Sequence, residues 1–294
     1  MREDTCFDRC LFGQNRKENM DYKRILTIQD ISCVGQCSLT VALPILSACG
    51  HETCILPSAV LSTHTAGFSG FTFRDLTDDI PSIQAHWNKE NIKFDGIYTG
   101  YLGSTKQIAY VKNILDTMGR GNAVKIVDPA FADNGKLYPV FDEFYVQAMK
   151  TLCPAADILL PNITEACFLA GMEYKEVYDE KYIKELLEAL TKLGCGTIVL
   201  TGVGYEPDKT GVVVYQNGKL DYYEHKRIAK GCHGTGDVYA SAFTGALLKE
   251  KTLFEAAKIA ADYTVLCIDN TQSDPTHWYG VKFETALPNL IGMI

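Results

Sequence analysis

Nothing in the chain approaches the roughly 20 consecutive apolar residues that a helix needs to cross a bilayer. A membrane span is therefore not expected. Positive charge is also in deficit: 28 lysines and arginines stand against 36 aspartates and glutamates, a formal net charge of −8. Nucleic acid and anionic membrane surfaces both demand a basic face, so neither is expected as a main partner. Cysteine is plentiful, at 11, but ordered pairs are missing. The number is odd, and Cys33, Cys37, Cys49, Cys54, Cys167 and Cys267 mostly sit in apolar surroundings, where a thiol behaves as a small hydrophobe. Cys6-x3-Cys10 and Cys33-x3-Cys37 each resemble half of a metal site, yet neither is followed by a second pair at structural-zinc spacing. Internal repeats, low-complexity tracts and a domain-scale linker are missing too, so residues 23–294 are expected to form one domain. Residues 1–22 are polar and unpatterned, with Glu3, Asp4 and Asp8 where a secretory leader would carry basic residues. They read as a loose extension of a cytoplasmic protein.

What is present is a regular alternation. Apolar residues make up 47% of the chain, enough for a large core. From Lys23 onward, short β-rich runs alternate with helical patterns, which predicts an α/β fold: a mainly parallel sheet with helices on both faces. Arg24–Gln29 reads as the first strand, Ser38–Cys49 as a helix closed by Gly50, and Glu52–Pro57 as the next strand. Asp95–Thr99 follows, and Ser104-Thr105-Lys106-Gln107 has the spelling of a capping box. Ala123–Asp128, Asp157–Pro161 and Thr197–Thr201 read as buried strands ending in Asp128, Asn162 and Thr201. Ligands of doubly wound sheets lie beyond the carboxyl ends of the strands, so these three residues are expected on one rim. Thr210–Tyr215 and Leu220–His225, around Asn217-Gly218, predict a hairpin, and Thr252-Leu253-Phe254-Glu255 a second capping box.

The segment Gly231-Cys232-His233-Gly234-Thr235-Gly236-Asp237, followed by the helix-compatible run from Val238, carries the chemistry. Glycines around a threonine let the backbone turn sharply and point successive N–H groups outward, and a helix starting there adds its positive dipole end. Such a cradle suits phosphate oxygens. Asp237 at its mouth is placed to accept a proton from an attacking hydroxyl; the alternative for the segment is a tight loop-to-helix junction chosen for packing, and an ordinary N-cap or first-turn acid would explain the position of Asp237 but not the glycines before it. Asp128, Asp133, Asn162 and Glu165 form a second set of hard oxygen donors at strand ends, suited to Mg²⁺, which keeps several waters and needs few protein contacts beside nucleotide phosphates. The alternative is that Asn162 or Thr164 merely caps a helix, with Glu165 exposed in its first turn.

Taken in order, Ile28-Gln29, Ser58-x-x-x-Ser62-x-His64-Thr65, Thr99-Gly100-Tyr101-Leu102-Gly103-Ser104, Asp128-Pro129, Pro161-Asn162-x-x-Glu165 and Gly234-Thr235-Gly236-Asp237 resemble the vitamin B6 kinases of the ribokinase-like superfamily. The resemblance spans Lys23 to the helix after Asp237. It implies a three-layer α/β/α kinase in which Asp237 is the general base, and Gly234, Thr235 and Gly236 form the anion hole. It further implies that Asp30, Ser58, His64, Thr65 and Tyr101 hold a B6 vitamer, that Asn162, Thr201, Gly202, Thr235 and Gly236 lie near ATP, and that Asp128, Asp133 and Glu165 serve Mg²⁺. A homodimer is implied as well, and a K⁺ requirement is left open. One departure stands out: Asp30 occupies a position where pyridoxal kinases carry serine, which suggests a preference for pyridoxamine, whose ammonium a carboxylate attracts. Hydroxymethylpyrimidine kinase is the nearest rival, sugar kinases come third, and a non-catalytic vitamer-binding protein is the alternative from another class. Ala130–Tyr138 is the candidate lid.

Overall fold

The computed structural model describes residues 22–228 and 232–294. The Cys6/Cys10 pair, nearly all of the proposed extension, and Gly231 lie outside them. The elements in chain order are β1 (Arg24–Ser32), α1 (Leu39–Ala48), β2 (Glu52–Leu61), β3 (Phe73–Asp75), α2 (Ile80–Lys89), β4 (Phe94–Thr99), α3 (Thr105–Thr117), β5 (Gly119–Val127), β6 (Ala132–Asp133), β7 (Lys136–Leu137), α4 (Glu143–Lys150), β8 (Ile158–Leu159), α5 (Ile163–Ala170), α6 (Glu180–Thr191), β9 (Thr197–Val203), β10 (Lys209–Gln216), β11 (Lys219–Lys226), α7 (Thr235–Leu248), α8 (Leu253–Gln272) and α9 (Leu287–Met293). The main sheet has the order β11-β10-β9-β8-β5-β4-β1-β2-β3. Pairings from β2 across to β9 are parallel; the edge strands β3 and β11, and β10 between β11 and β9, add antiparallel ones.

Alternate residues of the strands feed two cores. Leu26, Ile28, Ile97, Val127, Leu159 and Ile198 pack beneath α2 to α6, while Ile25, Tyr98, Ile126, Ile158 and Val199 pack against α1, α7 and α8. This is the expected three-layer arrangement. α6 shows how the sequence builds one layer: Asp179 accepts from the Tyr182 N–H at 2.8 Å to start it, and Tyr182, Ile183, Leu186, Leu187 and Leu190 recur on its buried face. α7 is different. Its run from Val238 to Ala246 is buried all round, so this helix is a fixed post in the core, and whatever it carries at its first turn is held firmly.

Several boundaries differ from expectation. β1 continues to Ser32 because Ile31 and Ser32 pair with Val60 and Leu61 after a register shift past Gln29, which places Asp30 at an irregularity inside the strand. β5 begins at Gly119, whose partner is Phe94, four residues before the expected start at Ala123. β8 is only Ile158–Leu159. At Ser104 the capping box is half formed: the hydroxyl accepts from the Gln107 N–H at 3.3 Å, but Gln107 Oε1 accepts from Gly103 N–H at 2.7 Å instead of from Ser104. Both arms are present at Thr252/Glu255. The β10–β11 hairpin turns at Asn217 and Gly218, with φ 53° and 81°, the left-handed pair its tight turn requires.

Candidate active site

The ends of β5 and β8 and the last residues of β9 lie on one rim of the sheet, where the charge of Asp237, in the first turn of α7, reaches Asp128. β5 ends before Asp128, whose N–H donates to the Thr99 carbonyl at 3.0 Å. β8 leads into Asn162, which forms a parallel bridge with Thr201. Asp128, Asn162 and Thr201 therefore share the carboxyl rim, with Gly202 next to them at φ 77°. Gly234 precedes α7 at φ 76°, and a Cβ there would stand 1.7 Å from the Gln36 carbonyl oxygen, so only glycine fits. No side chain caps α7 at Gly234, which leaves the first-turn N–H groups free to face an anion.

Asp237 sits half-buried in that first turn. Burial pushes its carboxyl up to about 7; the Ser38 N–H, donating to it, opposes the rise, and the charge of Asp30 adds to it. Ser38 is the residue that reasoning from sequence missed. It opens the stretch expected as a helix and stands at the N-cap position of α1, yet its hydroxyl makes no capping bond and donates instead to Asp30 Oδ1 at 2.6 Å. Its backbone lies at φ 55° and ψ −131°, a strained conformation for a residue with a side chain. Ser32 donates to Asp30 Oδ2 at 3.1 Å. Burial raises the Asp30 carboxyl, and the two serine hydroxyls and His64 pull the other way. The charge of Asp30 in turn reaches Tyr101, whose hydroxyl is pushed up to about 12, mainly by burial.

Tyr101 belongs to an aromatic stack. Its ring lies 5.5 Å from Phe141, which stacks on Tyr145 at 3.8 Å. His64 is fixed by backbone: Nδ1 accepts from the Ala66 N–H at 3.2 Å, which leaves the Nε2–H to donate to the Tyr279 carbonyl at 2.7 Å. The imidazole thus offers its ring faces, lying 5.0 Å from Phe68 and 5.5 Å from His233. Asp30 lies close enough to His64, Tyr101 and Asp237 for charge to act between it and each of them. Ser58 is buried within β2, its carbonyl accepting from Gln107 Nε2 at 3.1 Å, and Thr65 is exposed on the following loop.

The residues expected to serve a metal divide. Burial drives the Asp128 carboxyl well above the usual range, and the charges of Glu165 and Asp237 push it further. Glu165 is buried, not exposed, and completes a full capping box with Asn162. Its Oε1 also accepts from the Phe131 N–H at 3.0 Å and its Oε2 from the Asn162 N–H at 2.9 Å. Asp133 is exposed at the β6–β7 hairpin and is bonded to Asn134. Among the described residues no group of three or more His, Cys, Asp or Glu side chains is arranged to hold a metal ion. The expected lid is a small hairpin tied to α5, since Asn162 Nδ2 donates to the Ala132 carbonyl at 2.8 Å and the Gly135 N–H donates to Thr164 Oγ1 at 3.0 Å.

Comparison with known proteins agrees with this architecture. The family model for phosphomethylpyrimidine kinase matches residues 44–281. A Bacteroides thetaiotaomicron protein assigned as a phosphomethylpyrimidine kinase and crystallised with pyridoxal is 36% identical; the match covers 92% of this chain and 96% of that one, with a TM-score of 0.86. Pyridoxal kinase from Lactobacillus plantarum is 31% identical over 92% of this chain and 97% of its own, also at a TM-score of 0.86. Hydroxymethylpyrimidine/phosphomethylpyrimidine kinase from Bacillus subtilis is 26% identical over 220 residues, 73% of this chain and 77% of the relative. The resemblance drawn from the motifs holds for family and fold, and the relatives divide between pyridine and pyrimidine kinases. This chain belongs to the phosphomethylpyrimidine kinase family, and it is a kinase with the ribokinase-like fold shared by pyridoxal kinases.

Proposed function

We propose that this kinase transfers the γ-phosphoryl group of ATP to the 5′-hydroxymethyl group of a B6 vitamer. The observation that carries the reading is Asp237: a carboxyl raised to about 7, at the uncapped first turn of a buried helix, beside a glycine that no other residue can replace. A base poised near neutrality suits removal of an alcohol proton. In the transfer, the alcohol oxygen bonds to the γ-phosphorus as the bond to the ADP oxygen breaks, and the alcohol proton moves to an Asp237 carboxylate oxygen. The N–H groups at Thr235 and Gly236 receive the charge on the transferred oxygens. Tyr101, backed by Phe141 and Tyr145, supplies a wall for a flat ring, and Asn162, Thr201 and Gly202 flank the nucleotide.

The donor set fits Mg²⁺ in part. Asp128 is buried among negative neighbours that favour a bound cation as much as a bound proton. Asp128 would hold the ion together with ATP oxygens and water, and Glu165, its oxygens already bonded, would act through its charge; Asp133 would contribute charge from the rim. When bound, Mg²⁺ neutralises phosphate charge.

The second reading, phosphorylation of hydroxymethylpyrimidine, is favoured by the family match and by the Bacillus subtilis relative. The pyridoxal-containing relative, at higher identity, supports the B6 reading. ADP release measured with pyridoxal, pyridoxamine, pyridoxine and hydroxymethylpyrimidine decides between them: the B6 reading expects the highest kcat/KM with a pyridine, and a clear lead for the pyrimidine overturns it.

A further inference from the structure

Beneath Asp237 the core is polar where its neighbours are apolar. α7 runs against β4 in the opposite direction: Leu248 packs on Gly96, where a Cβ would come within 2.5 Å of Leu248 Cδ1, and Asp237 at the other end reaches the rim. Between them lie Tyr98 on β4 and Ser241, one helical turn below Asp237 on α7, both fully buried. Gln29 on β1 completes the group. It is fully buried, its Nε2 donates to Thr27 Oγ1 at 2.9 Å, and its Oε1 crosses Gly100, where a Cβ would sit 2.5 Å away. The Tyr98 hydroxyl, Ser241 Oγ and Gln29 Oε1 face one another without closing a well-directed hydrogen bond. Burial first, then the charges of Asp128 and Asp237, hold the Tyr98 phenol well above its ordinary range.

Polar atoms in such a place cost stability, since an apolar group of the same shape would serve the packing as well. We propose that Tyr98, acting through Ser241 and Gln29, is a positioning residue for Asp237: this polar floor, closed directly or through one internal water, sets the first turn of α7 against β4 and β1 so that the base meets the alcohol. The inference rests on the kinase reading given above and assigns Tyr98 no contact with substrate.

Tyr98→Phe and Ser241→Ala each delete a buried hydroxyl and leave the apolar packing in place, so a purely structural role predicts melting temperatures unchanged or raised and kcat unaffected. The positioning role predicts the same melting behaviour with kcat reduced roughly ten- to a hundredfold and KM for ATP and the alcohol within about twofold. It also predicts that Ser241→Thr, which keeps a hydroxyl, recovers most of the rate, and that the double variant is no slower than the worse single one. Unchanged kcat in both single variants, or losses that multiply in the double, overturns the proposal. Asp237→Asn in the same assay separates the two layers. If it is inactive while Tyr98→Phe keeps full speed, only the positioning role fails; if it keeps full speed, Asp237 is not the base and the positioning role falls with it; if the native chain itself turns over no substrate, the kinase reading fails.

Discussion

The backbone N–H of Ser38 donates to the Asp237 carboxyl while the hydroxyl of the same residue donates to Asp30. One residue thereby ties the expected base to the expected substrate carboxylate, and it does so at φ 55°. Strain held at a junction of two acids is the signature of a constrained site. Ser38→Gly and Ser38→Ala both remove the hydroxyl, but only glycine relieves the backbone. Urea unfolding is expected to find Ser38→Gly more stable than Ser38→Ala by about 1 kcal/mol. Equal stabilities would show that the conformation carries no strain.

Asp237 gives a pH dependence with a definite sign. Its carboxyl titrates at about 7 in the fold, against an ordinary value of 3.8. A folded value above the unfolded one means that the fold is favoured while the group is protonated and loses that advantage as pH rises from about 4 to about 7. Asp237→Asn is therefore expected to be more stable than the native chain at pH 8, by about 1–3 kcal/mol once solvent at the half-buried mouth is allowed for. Thermal unfolding at pH 5 and pH 8 checks this, and a gain no larger at pH 8 contradicts it. In the native enzyme, kcat/KM is expected to climb as pH approaches about 7 and to level off above it.

Much of the fold was legible because burial and period coincide. Thr197-Ile198-Val199-Leu200 reads as a buried strand and is one, and Thr252/Glu255 spells a capping box that forms completely. Where the reading slipped, tertiary contact had overruled local pattern. Gly119–Asn122 carries no strand signal but is drawn into β5 by pairing next to β4, and Gln107 leaves its capping partner for Gly103 N–H and the Ser58 carbonyl. The glycine loop and Asp237 were legible because glycine and aspartate announce their chemistry. Ser38 was not, because its contribution to Asp237 is a backbone N–H, which every residue but proline possesses.

Asp30 is expected to tune the choice of vitamer. Ser32 and Ser38 orient its carboxylate, and its charge reaches Tyr101. Asp30→Ser is expected to lower kcat/KM for pyridoxamine about tenfold more than for pyridoxal, the scale of one charge-assisted hydrogen bond. Parallel losses for the two vitamers would remove the preference.

Glu165 holds the 130–138 hairpin to α5 through the Phe131 and Ala132 N–H groups as well as capping its own helix. Glu165→Ala leaves those buried donors unpaired and is expected to cost roughly 2–4 kcal/mol. Deleting the exposed hairpin tip around Asn134 is milder: stability is expected to hold while ATP hydrolysis rises relative to alcohol phosphorylation, as water gains access. Denaturant unfolding checks the first, and the ratio of ADP to phosphorylated product checks the second. An unchanged ratio rules out a shielding role.

The most direct measurement compares the native chain with Asp237→Asn at pH 8, both shown to be folded by circular dichroism, and follows phosphorylated pyridoxal or pyridoxamine by mass spectrometry in the presence of ATP and Mg²⁺. The expected result is product from the native enzyme and a rate lower by roughly a hundred- to ten-thousandfold in the variant. Product forming at the native rate in Asp237→Asn would contradict the account.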